Sequence, residues 1–275
     1  MENTRTKTTR NSLILLLTAA IWGMAFVSQS KGMDYMHPFT FNGVRSLIGA
    51  ASILVYILIS RKIAGDKAAP LDWKLNVKAG LLCGIFLTIA STLQQFGIKY
   101  TSVGKAGFIT TLYIIFVPMF GIFLKKKVAP VVWAAAVMAA VGMYLLCMTE
   151  SLRLGAGDIM VFLCAIAFAI QIMTVDHYAA RIDGAVVSCI QFTVCGVVCC
   201  IGALIWGQPT FGQLQEGLGA LLYAGVLSCG VGYTLQIVGQ KGLNPTVAAL
   251  IMSLESVIAT ISGWIAYKIG FLTTD

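Results

Sequence analysis

Residues Ala249–Trp264 read ALIMSLESVIATISGW. Almost every side chain is apolar or small, yet a carboxylate, Glu255, sits near the middle. In lipid, an acid at mid-span costs about 3 kcal/mol if it faces the acyl chains, so it has to face protein or a cavity. Whether lipid is the solvent is decided by the rest of the chain.

The chain has 275 residues, 58% hydrophobic and only 11% charged. A soluble domain carries roughly 25% charged residues, so this composition belongs in a bilayer. A helical crossing takes about 20 mostly apolar residues. Nine such runs are present: Ser12–Ser30, Phe39–Ser60, Ala79–Ile98, Ala106–Leu124, Val128–Met148, Gly157–Val175, Val186–Trp206, Leu218–Val238 and Val247–Tyr267. Lipid offers no hydrogen bonds to the backbone, and the runs lack the alternation of a barrel strand, so they are expected to be helices. The first run is too long for a removable signal peptide and lacks its small-residue cleavage site.

The net charge of +8 is distributed as a topology signal. With the N-terminus inside, the cytoplasmic segments hold thirteen bases: Arg5, Lys7, Arg10, Arg61, Lys62, Lys67, Lys74, Lys78, Lys125, Lys126, Lys127, Arg181 and Lys241. The other side holds five, Lys31, Lys99, Lys105, Arg153 and Lys268, while Arg45 lies within a helix. Cytoplasmic loops collect Lys and Arg, so this bias predicts a cytoplasmic N-terminus and gives no reason to invoke nucleic acid. The eight cysteines fall inside apolar runs and read as small hydrophobes. Even CGVVCC, Cys195–Cys200, lacks His or carboxylate partners at ligand spacing, so no metal and no cofactor are expected.

Shifting the chain by 142 positions aligns Gln94–Gly121 with Gln236–Gly263 without a gap. Gln94, Gly97, Lys99, Ala106, Ile109, Leu112 and Gly121 meet identical residues. Two repeats are therefore expected, 1–150 and 151–275. Five helices per repeat is an odd number, so the copies enter the membrane from opposite sides and enclose a site near mid-membrane. The same shift puts the counterpart of the fifth run at 270–290, past Asp275, so a tenth helix is expected and is absent from this sequence. Extending the gene is expected to add about 15 to 20 predominantly apolar residues, the length that completes a span.

Four stretches carry a resemblance: AAIWGMAFVSQ in the first run, SVGKAGFITTLYIIFVPMFGIFL in the fourth, GVLSCGVGYTLQIVGQK in the eighth and AALIMSLESVIATISGW in the ninth. Together they resemble the EamA-type branch of the drug/metabolite transporter superfamily over essentially the whole chain. The resemblance implies ten helices in two inverted five-helix repeats, a central cavity, and secondary transport of small metabolites, often export. The Gly-Glu ending usual for the ninth helix is absent from AYKIGFLTTD.

Several polar residues fall within or near these spans. Arg45, two turns into the second run, with Asn42 one turn earlier, either binds a substrate carboxylate or anchors to loop carbonyls. Gln94, Gln95, Gln171, Gln191 and Gln236 either line a polar cavity or bridge helices, each bond then contributing roughly 0.6–2 kcal/mol. Pro118 is expected to bend the fourth helix and free a carbonyl. Trp22 and Tyr113 either line the cavity or pack. For Glu255, burial favours the neutral form, and a nearby base such as Arg45 or a cationic ligand favours the anion. Glu255 is then either a proton-exchanging group or a protonated acid bonded across helices through Ser253 or Ser256.

Other function classes fit less well. His37 and His177 sit at predicted boundaries without a nucleophile or metal-ligand partner, so an enzyme is not expected. SVGKAG lacks the first Gly and the Ser/Thr of a phosphate-binding loop, which disfavours an ATP-driven pump. No charge ring or filter-like motif points to a channel. The expectation is a gradient-driven, alternating-access carrier of the cytoplasmic membrane, exporting small metabolites such as amino acids, with protons as coupling ion. The alternatives are an exporter of cationic drug-like compounds and a non-transporting membrane scaffold.

Overall fold

The computed structural model describes residues 4–65, 71–123 and 155–272, with scattered positions between 130 and 145. Among the described residues, eight helical spans are long and apolar enough to cross a bilayer. The fifth expected run, Val128–Met148, falls largely outside the described residues.

Helix α1 (Thr4–Met33) crosses from the N-terminal face to the opposite face, α2 (Pro38–Ala64) returns, and α3 (Trp73–Ile98) crosses again. Each return starts on a side-chain cap that serves an otherwise orphaned N–H. Asp72 accepts from Leu75 N at 3.0 Å to start α3. His37 accepts from Phe39 N at 3.3 Å to start α2, with Pro38 at the first helical position, where no donor is needed. Burial, and then the Lys99 charge, lower the His37 pKa from its usual 6.5, which keeps the imidazole in the neutral form able to accept.

The fourth span, expected as one helix, is two: α4 (Val103–Thr110) and α5 (Tyr113–Phe123). After α6 (Ala156–Tyr178), α7 (Gly184–Gly202) and the short α8 (Phe211–Glu216), the eighth of the nine expected runs comprises α9 (Leu218–Leu222), ten π-helical residues, Tyr223–Gly232, and α10 (Tyr233–Gln240). The last span is again two helices, α11 (Pro245–Met252) and α12 (Glu255–Lys268). Both breaks obey the 142-residue shift: α4 maps onto α11, residues 111–112 onto 253–254, and Tyr113 onto Glu255.

The chemistry of the breaks is shared too. Leu112 N turns back to Ile109 O at 3.1 Å and Leu254 N to Ile251 O at 3.3 Å, a tighter turn than the α-helix. Thr111 Oγ1 donates to Phe108 O, and its counterpart Ser253 Oγ to Leu250 O, both at 2.8 Å. A hydroxyl thus serves a carbonyl at each break, which lipid would not do. Pro118, expected to bend this span, lies inside α5, beyond the break. Its counterpart is Thr260, so the break shared by both repeats is not a proline effect.

The repeats run in opposite senses. Asp158, at the start of α6, pairs with Lys105 Nζ at 2.7 Å and accepts from Thr101 at 2.7 Å, so α6 begins at the face where α3 ends. Lys105, placed in an outside segment on sequence, is buried in this pair. The repeats also share a close helix contact. A Cβ on Gly97 would stand 2.8 Å from Gly157 O on α6, and one on Gly239 2.7 Å from Leu15 Cδ2 on α1; both members shift by 142. This is the architecture of two inverted repeats expected from the sequence.

Candidate functional site

A chamber lies among α1, α2, α3, α4, α5, α6, α7, the π-helical stretch, α10 and α12. Seven of the residues singled out in the sequence line it: Trp22, Arg45, Gln94, Tyr113, Gln171, Gln236 and Glu255. Asn42 and Gln191 stand behind that lining. The interior leaves about 40 Å³ for the centres of water-sized molecules, room for roughly three waters at 10–15 Å³ each.

Glu255 is 3% exposed, and its Oε1 accepts from Tyr113 Oη at 3.0 Å. These are counterpart positions, so the bond joins the first residue of one post-break helix to the first residue of the other. The partners expected from sequence are engaged elsewhere: Ser253 on Leu250 O and Ser256 on Ser253 O.

Arg45 is 5% exposed. Its Nε donates to Asn42 Oδ1 at 2.8 Å, while Asn42 Nδ2 donates to Ser91 O at 2.9 Å. The guanidinium carbon lies 5.4 Å from the Phe41 ring centroid. Asn42 therefore aims Arg45, while the close approach of α2 to the π-helical stretch brings the side chain to the chamber. A Cβ on Gly225 would stand 2.9 Å from Arg45 O. Among the described residues, Asn42 and Phe41 hold Arg45, and no loop carbonyl accepts from it. Among the described residues, no ion pair joins it to Glu255.

The glutamines divide into two groups. Towards the N-terminal face, Gln236 Nε2 donates to Gln171 Oε1 at 3.2 Å and Gln171 Nε2 to Gln191 Oε1 at 3.4 Å. Towards the opposite face, Gln94 Nε2 donates to Thr110 Oγ1 at 3.2 Å and Gln95 Nε2 to Gln29 O at 3.1 Å. One wall is aromatic: the ring centroids of Trp22 and Tyr233 are 4.6 Å apart, those of Phe192 and Tyr233 4.9 Å.

Sequence reasoning missed Gln29, Thr110, Phe168, Phe192 and Tyr233, all of which line the chamber. The 142-residue shift held a signal for two of them. Phe26 and Phe168 are counterparts, as are Gln29 and Gln171, and all four line the chamber with the Gln94/Gln236 and Tyr113/Glu255 pairs. The chamber therefore sits where the two repeats face each other, and the charges break its symmetry. Arg45 corresponds to Val187 and Glu255 to Tyr113.

The model of the EamA-like transporter family matches residues 10–148 and again 155–274. The chain belongs to the EamA-like transporter family. It is 30% identical over 171 residues to an "Uncharacterized transporter" of Archaeoglobus fulgidus, a match covering 60% of this chain but only 48% of that protein. It is 27% identical over 256 residues to the "Uncharacterized transporter YwfM" of Bacillus subtilis, covering 92% of this chain and 84% of the relative. A solved crystal structure, 17% identical, superposes with a TM-score of 0.72 over 97% of this chain and 90% of that one, a likeness of fold. This EamA-like chain is thus a multi-pass membrane protein of a transporter family.

Proposed function

We propose that this EamA-like chain is a secondary carrier that exports a small zwitterion, an amino acid being the type, by alternating access between repeats 1–150 and 151–275. Arg45 receives the carboxylate, Glu255 the ammonium, and protons exchanged at Glu255 drive the cycle. The carrying observation is that a buried guanidinium and a buried carboxyl line one chamber without pairing with each other. A charge taken out of water needs a partner, and a ligand bearing both opposite charges supplies two at once.

Size supports the same class. Drug-sized ligands occupy pockets of roughly 300–1,000 Å³. A chamber with room for a few waters suits a metabolite of a few heavy atoms in this state, and Arg45 in its wall disfavours a purely cationic ligand. Export is the sense that the EamA-type resemblance implies, and a cytoplasmic N-terminus, where most of the bases collect, assigns the faces between which it runs.

Thermal unfolding of the purified protein tests the reading with three series: L-amino acids, their methyl esters, and the matching carboxylic acids without the amine. The amino acids are expected to stabilise, by about 2.7 kcal/mol at one hundred times Kd, and the other two series much less. Arg45→Met is expected to remove the discrimination between acid and ester. Equal stabilisation by esters, or discrimination that survives Arg45→Met, would sink the zwitterion assignment.

A further inference from the structure

The two glutamine groups differ in a way the repeat makes interpretable. Gln236 Nε2 bonds Gln171 Oε1. Shifted by 142, that bond would be Gln94 Nε2 on Gln29 Oε1. In this structure it is not made: Gln94 donates to Thr110 Oγ1. Among the described residues, Gln29 Oε1, in a residue 4% exposed, has no partner, and it is the atom whose counterpart accepts in the other repeat. Thr110 corresponds to Met252, which has no hydroxyl, so Gln236 is offered no such second acceptor.

The same arrangement is therefore closed in one repeat and released in the other. Inverted repeats alternate access by exchanging conformations around a shared site. We propose that Gln29 is a positioning residue of the transport cycle: when access switches, Gln94 leaves Thr110 for Gln29 Oε1 and Gln236 leaves Gln171. The Gln171–Gln236 bond then holds the N-terminal side of the chamber shut here, and the Gln29–Gln94 bond holds the other side in the opposite state. This rests on the alternating-access reading above and adds a mutually exclusive pair of latches. Thr110 is the parking place that lets Gln94 wait.

The test uses the full chain carrying the pair Gln29→Cys with Gln94→Cys, the pair Gln171→Cys with Gln236→Cys, or both. Each is treated with a bis-methanethiosulfonate long enough to replace two glutamine side chains, and linked peptides are read by mass spectrometry. The 171–236 link is expected to form readily in the resting protein. The 29–94 link is expected at least about tenfold less often in molecules already carrying the first, as for two states that exclude each other. Both links in the same molecules, or no 29–94 link under any condition, would overturn the latches. Flux of labelled L-alanine in liposomes separates the two levels of failure. A 171–236 link that blocks flux while 29–94 never forms overturns this inference alone; links that both leave flux unchanged overturn alternating access with it. Should the cysteine variants fold poorly, Gln29→Leu is expected to slow alanine flux by a larger factor than it weakens stabilisation by alanine, and wild-type flux would count against the latch.

Discussion

Glu255 opens α12 and accepts from Tyr113, which opens α5, so the acid lies where the two repeats meet. At that position, gain or loss of its proton changes the charge of the chamber whichever face is open. Glu255→Gln keeps the shape and an acceptor for Tyr113 but cannot titrate. The variant is expected to insert and fold, to lose pH-gradient-driven transport down to background leak, and to retain substrate exchange at equal pH. Wild-type rate and pH dependence in liposomes would make Glu255 a structural acid. The sequence put this carboxyl inside the membrane, but its partner stands 142 residues away, and no local rule of helix spacing reaches that far.

At the scale of elements, the paired breaks and the glycine contacts decide how tightly helices approach. A Cβ on Gly97 would meet Val161 Cγ2 as well as Gly157 O, with no flexible side-chain end to give way. Gly97→Ala is therefore expected to cost about 1–3 kcal/mol of stability, the usual penalty of overpacking. Gly219, inside α9, has nothing within 4 Å of its would-be Cβ. Gly219→Ala is expected to be neutral or to stabilise by up to about 1 kcal/mol through the unfolded chain. Thermal unfolding of the two variants side by side checks both; equal shifts would show that backbone approach at Gly97 is not what holds α3 to α6. The nine apolar runs were readable because lipid demands them. The breaks at 111–112 and 253–254 were not, because Thr and Ser occur in continuous membrane helices too, and Pro118 offered a more familiar but wrong cause.

For the whole molecule, orientation is the property carried by the most residues. A reporter fused within Lys125–Lys127, which lie outside the described residues, is expected to read cytoplasmic, because three consecutive bases resist translocation. Labelling from the opposite side would reverse the assignment of faces. On the proposed alternating-access reading, the near-symmetric frame supplies two exchangeable conformations, and the unmatched Arg45 and Glu255 give the chamber its electrical character.

Composition, run length and the 142-residue shift were enough to place this chain in a bilayer as inverted repeats, since each is a one-dimensional consequence of crossing a fixed hydrocarbon thickness and of duplication. They also marked Arg45, Glu255 and five of the ten glutamines as costly in lipid. Which of those residues share a chamber was decided only by the tertiary structure. Asn42 turns out to aim Arg45, Gln191 to hold Gln171, and Gln29, one residue from the end of its run, to line the site. The physical reason is that a helix specifies which face a residue occupies, whereas what that face meets depends on how two repeats dock across an interface that no single helix encodes.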